Sequence, residues 1–522
     1  MRWLSHPVVV GAGLLFLVVV QIFTLYLHGA FYLAALAYPY ELDYGEGIVW
    51  QQMRNMFDGS GFGVLQTYPA VVYHYPPVFH LLTGSIAALA GSDELATGRA
   101  VSLVASLSTA ILVGALVAEA GRAMAPRAVR AASGTVAAML FLCIDPVAKW
   151  APMMRVDSLA GALALLGVLL AIRALDRPAA IYGAAAAFVL SIYTKQTMIA
   201  APMAVFVVLL FARPALAWRG IVAGAGGALV LLAIALWATD GRFLHHIVLY
   251  NVNSIDMSRV EMLGKWEYLP VLALAGIGVG RSLAWARKAV GGTGALRNRL
   301  GRSGPAIAIA MLLLYLLIKT AMLLMIVKKG SSSNYLIEWF SVVVIFAGIG
   351  LFNLLAVFSR DAGAAQVRPA PIVLGLVAVG IPTQMLLSLP HHPTGEQLQA
   401  QARRLDGLVA RIAASPKPVI SDEMTLIIRA GRKVEWEPAI VAELIRVGQY
   451  DEGALVRMIE ARRFGFFITR GEVGSDLFDD RYTPATAAAM QAAYPRLERV
   501  SRLTLRLPPA AEADKPPRPP VP

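Results

Sequence analysis

The sequence predicts an α-helical polytopic membrane protein with a small α/β domain towards its C-terminal end. Three observations predict it. Of the 522 residues, 57% are hydrophobic and only 15% charged, with a mean hydropathy of +0.63, where soluble domains carry about 25% charged residues. Many apolar runs approach the roughly 20 residues that a helix needs to cross a bilayer. Lys and Arg cluster in alternate short loops, as the positive-inside rule requires of cytoplasmic ones. The net charge of +13 has the same origin, so nucleic acid is not an expected partner and membrane lipid is. The lone Cys143 excludes a disulfide within the chain.

Arg2 precedes the first apolar run, 8–28, and favours a cytoplasmic N-terminus. Residues 26–30 are a poor small-residue cleavage site, so this run reads as a span and not as a removed signal peptide. It delivers residues 38–77 to the outer side. This polar, turn-rich stretch carries Glu41, Asp43 and Glu46 within six residues, then aromatics, glycines and Pro76-Pro77. Residues 78–90 are short for a crossing and suit a helix at the interface. Further spans are expected at 98–117, 131–144, 158–172, 180–192, 198–211, 221–237, 269–283, 306–327, 338–358 and 371–389, about eleven crossings in all. They place Arg122, Arg127 and Arg130, Arg173 and Arg177, Arg213 and Arg219, the basic cluster 281–302, and Arg360 and Arg368 inside. Residues 145–157, 193–196, 240–268 and 328–335 then fall outside.

After Pro390 charged residues become frequent. Residues 397–413 and 453–463 read as helices, and 417–422 and 464–469 as short strands. The expected division is a transmembrane unit 1–389 (with 29–97 as its first outer loop), an extracytoplasmic α/β domain 390–507, and a disordered Pro/Ala-rich tail 508–522. No repeat, P-loop or metal-finger spacing is present.

Candidate chemistry lies in the outer loops. Carboxylates from two loops, Asp43 and Asp157, can converge as a general base or as ligands for a divalent metal. The alternative for Asp157 is an acid complementing a helix dipole. Arg155 either joins that site or snorkels at the interface. Lys195, and Lys328 and Lys329 before the small-residue loop running to Asn334 and Tyr335, form a candidate phosphate cradle. Their alternative is membrane-edge anchoring. Lys319 lies within a span, which points to function or a buried partner. His74, His245 and His246 are candidate metal ligands whose spacing matches no standard motif. Tyr73, Tyr75, Tyr250 and Tyr335 stack on a sugar or belong to the aromatic belt.

Taken in order, the acidic 41–47 motif, Tyr75-Pro76-Pro77-Val78, Arg99, Arg155-Val156-Asp157, Tyr193-Thr194-Lys195 and Ser333-Asn334-Tyr335 form a recognisable set. Over residues 8–389 it resembles the GT-C superfamily of integral-membrane glycosyltransferases. The likeness is to bacterial family-39-like enzymes related to protein O-mannosyltransferases and aminoarabinose transferases. The resemblance implies a polyprenyl-phosphate-linked sugar as donor. It implies a glycan, lipid or protein of the cell envelope as acceptor, and the bacterial cytoplasmic membrane as location. It puts Asp43 at the catalytic aspartate, with Asp157 and Glu46 as the other catalytic acids. Lys195, Lys328, Lys329, Asn334, Tyr335 and Arg155 fall on the donor phosphate, and Glu41, Tyr75, His74 and His245 on the substrate pocket. Two features depart from the family: Glu46 follows Asp43 by three residues instead of adjoining it, and Tyr75 stands where the aminoarabinose transferases have Lys. The rival readings are a transporter of lipid-linked sugars, which would be expected to carry inverted repeats, and a non-catalytic assembly subunit.

Overall fold

The computed structural model describes residues 7–251, 253–293, 295–361, 369–389 and 391–510. Arg2, Arg368 and the tail beyond residue 510 lie outside them. Each expected span falls on a helix. Among the described residues, six helices are long and apolar enough to cross a membrane, including Glu94–Ala120, Pro214–Ala238 and Gly304–Val327. Arg127–Cys143, Asp157–Arg173, Ala180–Thr194, Ala200–Ala212 and Pro369–Leu387 are shorter and complete the bundle. Val78–Ala90 is a helix with the expected short length.

Tyr335–Asp361 is the central helix: 89% of its apolar window is buried, against none for Pro214–Ala238 on the periphery. Lipid tails supply no hydrophobic force between helices, so close backbone approach has to hold them together. Glycines provide it at two crossings. A Cβ on Gly114 would lie 2.9 Å from the Gly134 carbonyl oxygen, and one on Gly134 would lie 2.6 Å from that of Gly114. A Cβ on Gly278 would come within 1.9 Å of the Phe346 carbonyl oxygen. The charge inside the bundle is paired. Lys319 Nζ lies 2.6 Å from Glu338 Oε2, and the Tyr315 hydroxyl donates to Glu338 Oε1 at 2.9 Å.

Residues 395–507 form helices around a four-stranded sheet ordered β1-β2-β4-β3, with β1 Ile420–Ser421, β2 Phe467–Arg470, β3 Arg496–Val500 and β4 Leu503–Leu507. β1 runs parallel to β2, and β4 antiparallel to both β2 and β3. The opening helix, Gly395–Ala414, starts at a Thr394–Gln397 capping box, which satisfies two otherwise orphaned main-chain donors.

The loop after the first span is less irregular than its composition suggests. It contains a helix, Glu46–Phe57, with nine buried residues. The loop and the C-terminal sheet share a core. Leu65, Ala70 and Val72 bury against Trp436, Phe464 and Phe467. The Ala70 N–H donates to the Glu435 carbonyl (2.8 Å), the Val434 N–H to Gln51 Oε1 (2.8 Å) and the Glu41 N–H to Thr425 Oγ1 (3.1 Å).

Candidate functional site

The geometry begins with one buried ion pair. Glu46 opens the Glu46–Phe57 helix, and its carboxylate accepts from the Leu42 and Met154 N–H groups, both at 2.7 Å. It also accepts from Arg99 Nε (2.9 Å) and Nη2 (2.8 Å). The remaining Arg99 donors reach the carbonyls of Ala35 (2.6 Å), Tyr38 (2.5 Å) and Tyr40 (2.5 Å). All five guanidinium N–H groups are used, and neither side chain is exposed. Glu46, expected among the catalytic acids, is therefore an anchor. Both of its oxygens are filled, and it ties the first loop to the turn before Arg155.

That anchoring sets one wall of a cavity of about 330 Å³. Tyr44, Gly45, His74 and Tyr75 come from the first loop, Arg155 from the second, Lys195 from the third, and Lys328, Asn334 and Tyr335 from a fourth. Residues from Tyr44 to Tyr335 thus converge at one end of the bundle. The Arg155 guanidinium sits 5.2 Å from the Trp150 ring centroid and donates to the Tyr44 carbonyl at 3.3 Å. Its Nη2 lies 3.5 Å from the Tyr75 hydroxyl, and its Nε is buried without a partner. Only glycine fits beneath it. A Cβ on Gly45 would stand 2.0 Å from Nη1, at a φ of +108°.

Lys195 Nζ donates to Asp157 Oδ1 at 2.5 Å, Asn334 Nδ2 donates to the same oxygen at 2.9 Å, and the Tyr335 ring centroid is 4.7 Å from Nζ. Asp157 thus stands behind Lys195 and not on the cavity wall. It orients the lysine and balances its charge. Lys329 is paired with Asp480 at 2.6 Å. Lys328 lines the cavity with no acidic partner among the described residues.

Asp43 does not line this cavity; its neighbours Tyr44 and Gly45 do. Glu41 and Leu42, just before it, line a separate cavity of about 630 Å³, and Asp43 lines neither. Burial lifts its carboxyl above the ordinary range, while Arg155 and Lys149 draw it back down. Glu41, expected in the substrate pocket, lines the second cavity and not the one that holds Arg155 and Lys195. It is buried, with both oxygens lacking a hydrogen-bond donor and its nearest cation, Arg470, at 3.9 Å. Burial and Glu423 push its carboxyl well up.

His74 lines the cavity, and burial with Arg155 nearby lowers it to about 4, so it is neutral at pH 7. His245 is exposed and lines neither cavity. Its neighbour His246 is the buried one, accepting from the Tyr73 N–H (3.2 Å) and donating to the Gly63 carbonyl (2.8 Å). The three histidines do not converge, and no group of three or more His, Cys, Asp or Glu side chains among the described residues is arranged to hold a metal ion.

Residues from the C-terminal unit complete the wall: Glu437, Ile440, Glu443 and Arg481. Sequence reasoning missed all of them. Burial raises the Glu437 carboxyl to about 8, against the pull of Arg155.

No family model and no curated protein matches the chain. Solved structures do. ArnT from Cupriavidus metallidurans bound to undecaprenyl phosphate superposes with a TM-score of 0.55 at 14% identity, over 93% of this chain and 97% of that one. Its apo state gives 0.56 at 13% identity, with the same coverage. The oligosaccharyltransferase AglB from Archaeoglobus fulgidus matches at 0.47 and 10% identity, over 86% of this chain and 70% of that one. The ArnT likeness extends end to end, and the fold is of the GT-C type.

Proposed function

We propose that the chain is a glycosyltransferase that moves a hexosyl or pentosyl group from a polyprenyl-phosphate-linked donor to an acceptor hydroxyl on the extracytoplasmic side of the membrane. One observation carries this reading. A cavity at one end of an apolar helix bundle gathers Arg155, Lys195 and Lys328, and a carboxylate, Asp43, that feels the Arg155 charge precedes Tyr44 and Gly45 of the cavity wall. The GT-C fold, and the undecaprenyl phosphate bound by ArnT, support it.

The cations carry out the electrostatic part. A lipid phosphate is a good leaving group because it departs already ionised, so no general acid is needed. Fixed positive charges in a water-poor site stabilise the second charge that develops as the glycosidic bond breaks. Lys195 is suited to this because Asp157, itself fixed by a hydrogen bond from Asn334, holds its ammonium group rigid. Asp43 is the general base that takes the acceptor's proton as its oxygen attacks the anomeric carbon. Its lifted pKa makes it a better base than an exposed aspartate. Single displacement inverts the anomeric configuration. Asp157 and Glu46 act through their neighbours, one on Lys195 and one on the loop that carries Asp43. The transport alternative drew on Lys319 as an intramembrane charge, and that charge is neutralised by Glu338.

The test is transfer from radiolabelled polyprenyl-phosphate sugars in membranes, comparing wild type and Asp43→Asn at matched expression. Transfer lost in the variant with donor binding kept is the expected result. Transfer that survives intact in the variant removes Asp43 as base. Movement of lipid-linked sugar across liposomes without any transfer replaces the enzyme by a transporter.

A further inference from the structure

One acid on the cavity wall has no structural employment. Glu437 holds the N-cap position of the helix Pro438–Arg446, yet its side chain makes no cap hydrogen bond. Pro438 has no N–H to offer, and the next N–H, that of Ala439, is directed to the Tyr44 hydroxyl at 3.4 Å. The Glu437 carboxyl is only 6% exposed as part of its residue, and its Oε2 is buried without a partner. The other acids of the same wall are committed, Glu443 to Arg446 and Asp480 to Lys329. A buried carboxyl left unpaired costs free energy, so its persistence beside a cavity points to a ligand that pairs with it.

The chemistry of the wall narrows that ligand. Lys195, Arg155 and Lys328 attract an anion, and Glu437 repels one. The acid therefore faces a part of the ligand other than the phosphate. An ammonium group would crowd further positive charge against Arg155. A neutral hydroxyl both donates and accepts, and it satisfies a carboxyl in either protonation state.

We infer that Glu437 reads the sugar of the lipid-linked donor, its carboxyl hydrogen-bonding a hydroxyl of a neutral sugar held in the cavity while the cations take the phosphate. This rests on the transferase reading and adds to it a role for the C-terminal unit. That unit brings a specificity-determining residue into a site whose phosphate-binding residues all come from the loops of the bundle.

The test separates the two layers. Binding of undecaprenyl phosphate, and of undecaprenyl-phosphate glucose, mannose and galactose, is measured on the purified full chain in nanodiscs. Wild type binds the bare lipid phosphate, and at least one glycosylated form more tightly. Glu437→Ala removes that increment, about threefold to tenfold for one net hydrogen bond, and leaves the bare lipid unchanged. Glu437→Gln, which keeps a donor and an acceptor in place, retains the increment. Parallel losses for bare and glycosylated lipid in Glu437→Ala make the residue merely structural and overturn the inference. An increment that survives Glu437→Ala, or none for any sugar in wild type, overturns it as well. An increment seen only with undecaprenyl-phosphate galactosamine and lost in Glu437→Gln overturns the neutral-sugar assignment. Failure of wild type to bind any of these lipids removes the transferase reading itself.

Discussion

Replacing Glu46 by Gln tests the anchor beneath the site. Its two oxygens accept four hydrogen bonds, from Leu42, Met154 and twice from Arg99. A Gln side chain, whichever way it turns, sets an NH₂ group against two of those donors. It also leaves the fully buried Arg99 guanidinium without its counter-charge. Breaking a buried pair from one side costs about 3–5 kcal/mol, a large fraction of a typical net stability of about 5–15 kcal/mol. The expected result for Glu46→Gln is a thermal midpoint lowered by roughly 10 °C, at about 2–4 °C per kcal/mol for a large domain. It is read by intrinsic fluorescence on the full chain in nanodiscs. Glu46→Leu with Arg99→Met separates the explanations. In other proteins, replacing both charges by apolar groups is often neutral or stabilising. Here the Leu42 and Met154 N–H groups and the Tyr38 and Tyr40 carbonyls would lose their partners. At about 1 kcal/mol or more each, they keep the double variant at least as unstable as the single one. A double variant that melts with wild type would refute the claim that the pair holds the main chain of this loop. A Glu46→Gln midpoint within 2 °C of wild type would refute the anchor altogether.

Three further outcomes are expected. Lys195→Met and Asp157→Asn each lower the midpoint by a similar amount, because each strands a buried charge; Lys195→Met with Asp157→Leu regains part of that stability and no transfer activity. Gly45→Ala displaces Arg155 and strains a left-handed backbone position at about 1–2 kcal/mol, so transfer falls more than the midpoint does, as kinetics and melting on the same preparation will record. Glu437 makes stability depend on pH in a definite direction. Its carboxyl is raised from 4.5 to about 8, so between those values the folded chain keeps a proton that the unfolded chain has lost. Its contribution is therefore complete below pH 4.5 and declines as pH rises towards 8. Glu437→Gln should flatten that part of the midpoint-versus-pH curve, and an unchanged slope would count against the lifted pKa.

Apolar run length located every helix of the bundle, because crossing a bilayer imposes a length that a single sequence displays. It also isolated Val78–Ala90 as too short. The cation set was legible for a related reason: in so apolar a chain, Arg155, Lys195 and Lys328 stand out at the ends of spans. The fates of Glu41, Asp43 and Glu46 were not legible. One faces no donor, one lines neither cavity and one is saturated by Arg99, and the difference lies in partners contributed from elsewhere in the fold. His245 and His246 differ in the same way, adjacent in sequence and opposite in burial. Glu437 looked like an ordinary acid before a helical Pro; only the direction of the Ala439 N–H reveals that it does not cap. β4 was within reach, since Leu503, Leu505 and Leu507 alternate, but the arginines around them resemble a solvated surface.

The shared core of the first loop and the C-terminal sheet has a consequence for how the chain is made. The Val434 N–H and its acceptor on Gln51 are 383 residues apart. At about 5–20 residues per second of synthesis, the Glu46–Phe57 helix waits roughly 20–80 seconds for the segment that covers it. Arg99 emerges about 50 residues after Glu46, within roughly 3–10 seconds on the same scale, and fixes the loop long before its cover arrives. A ribosome that stops at the end of the last span leaves a helix bundle with Arg155, Lys195 and Lys328 in place, Leu65, Ala70 and Val72 bare, and one wall of the cavity missing.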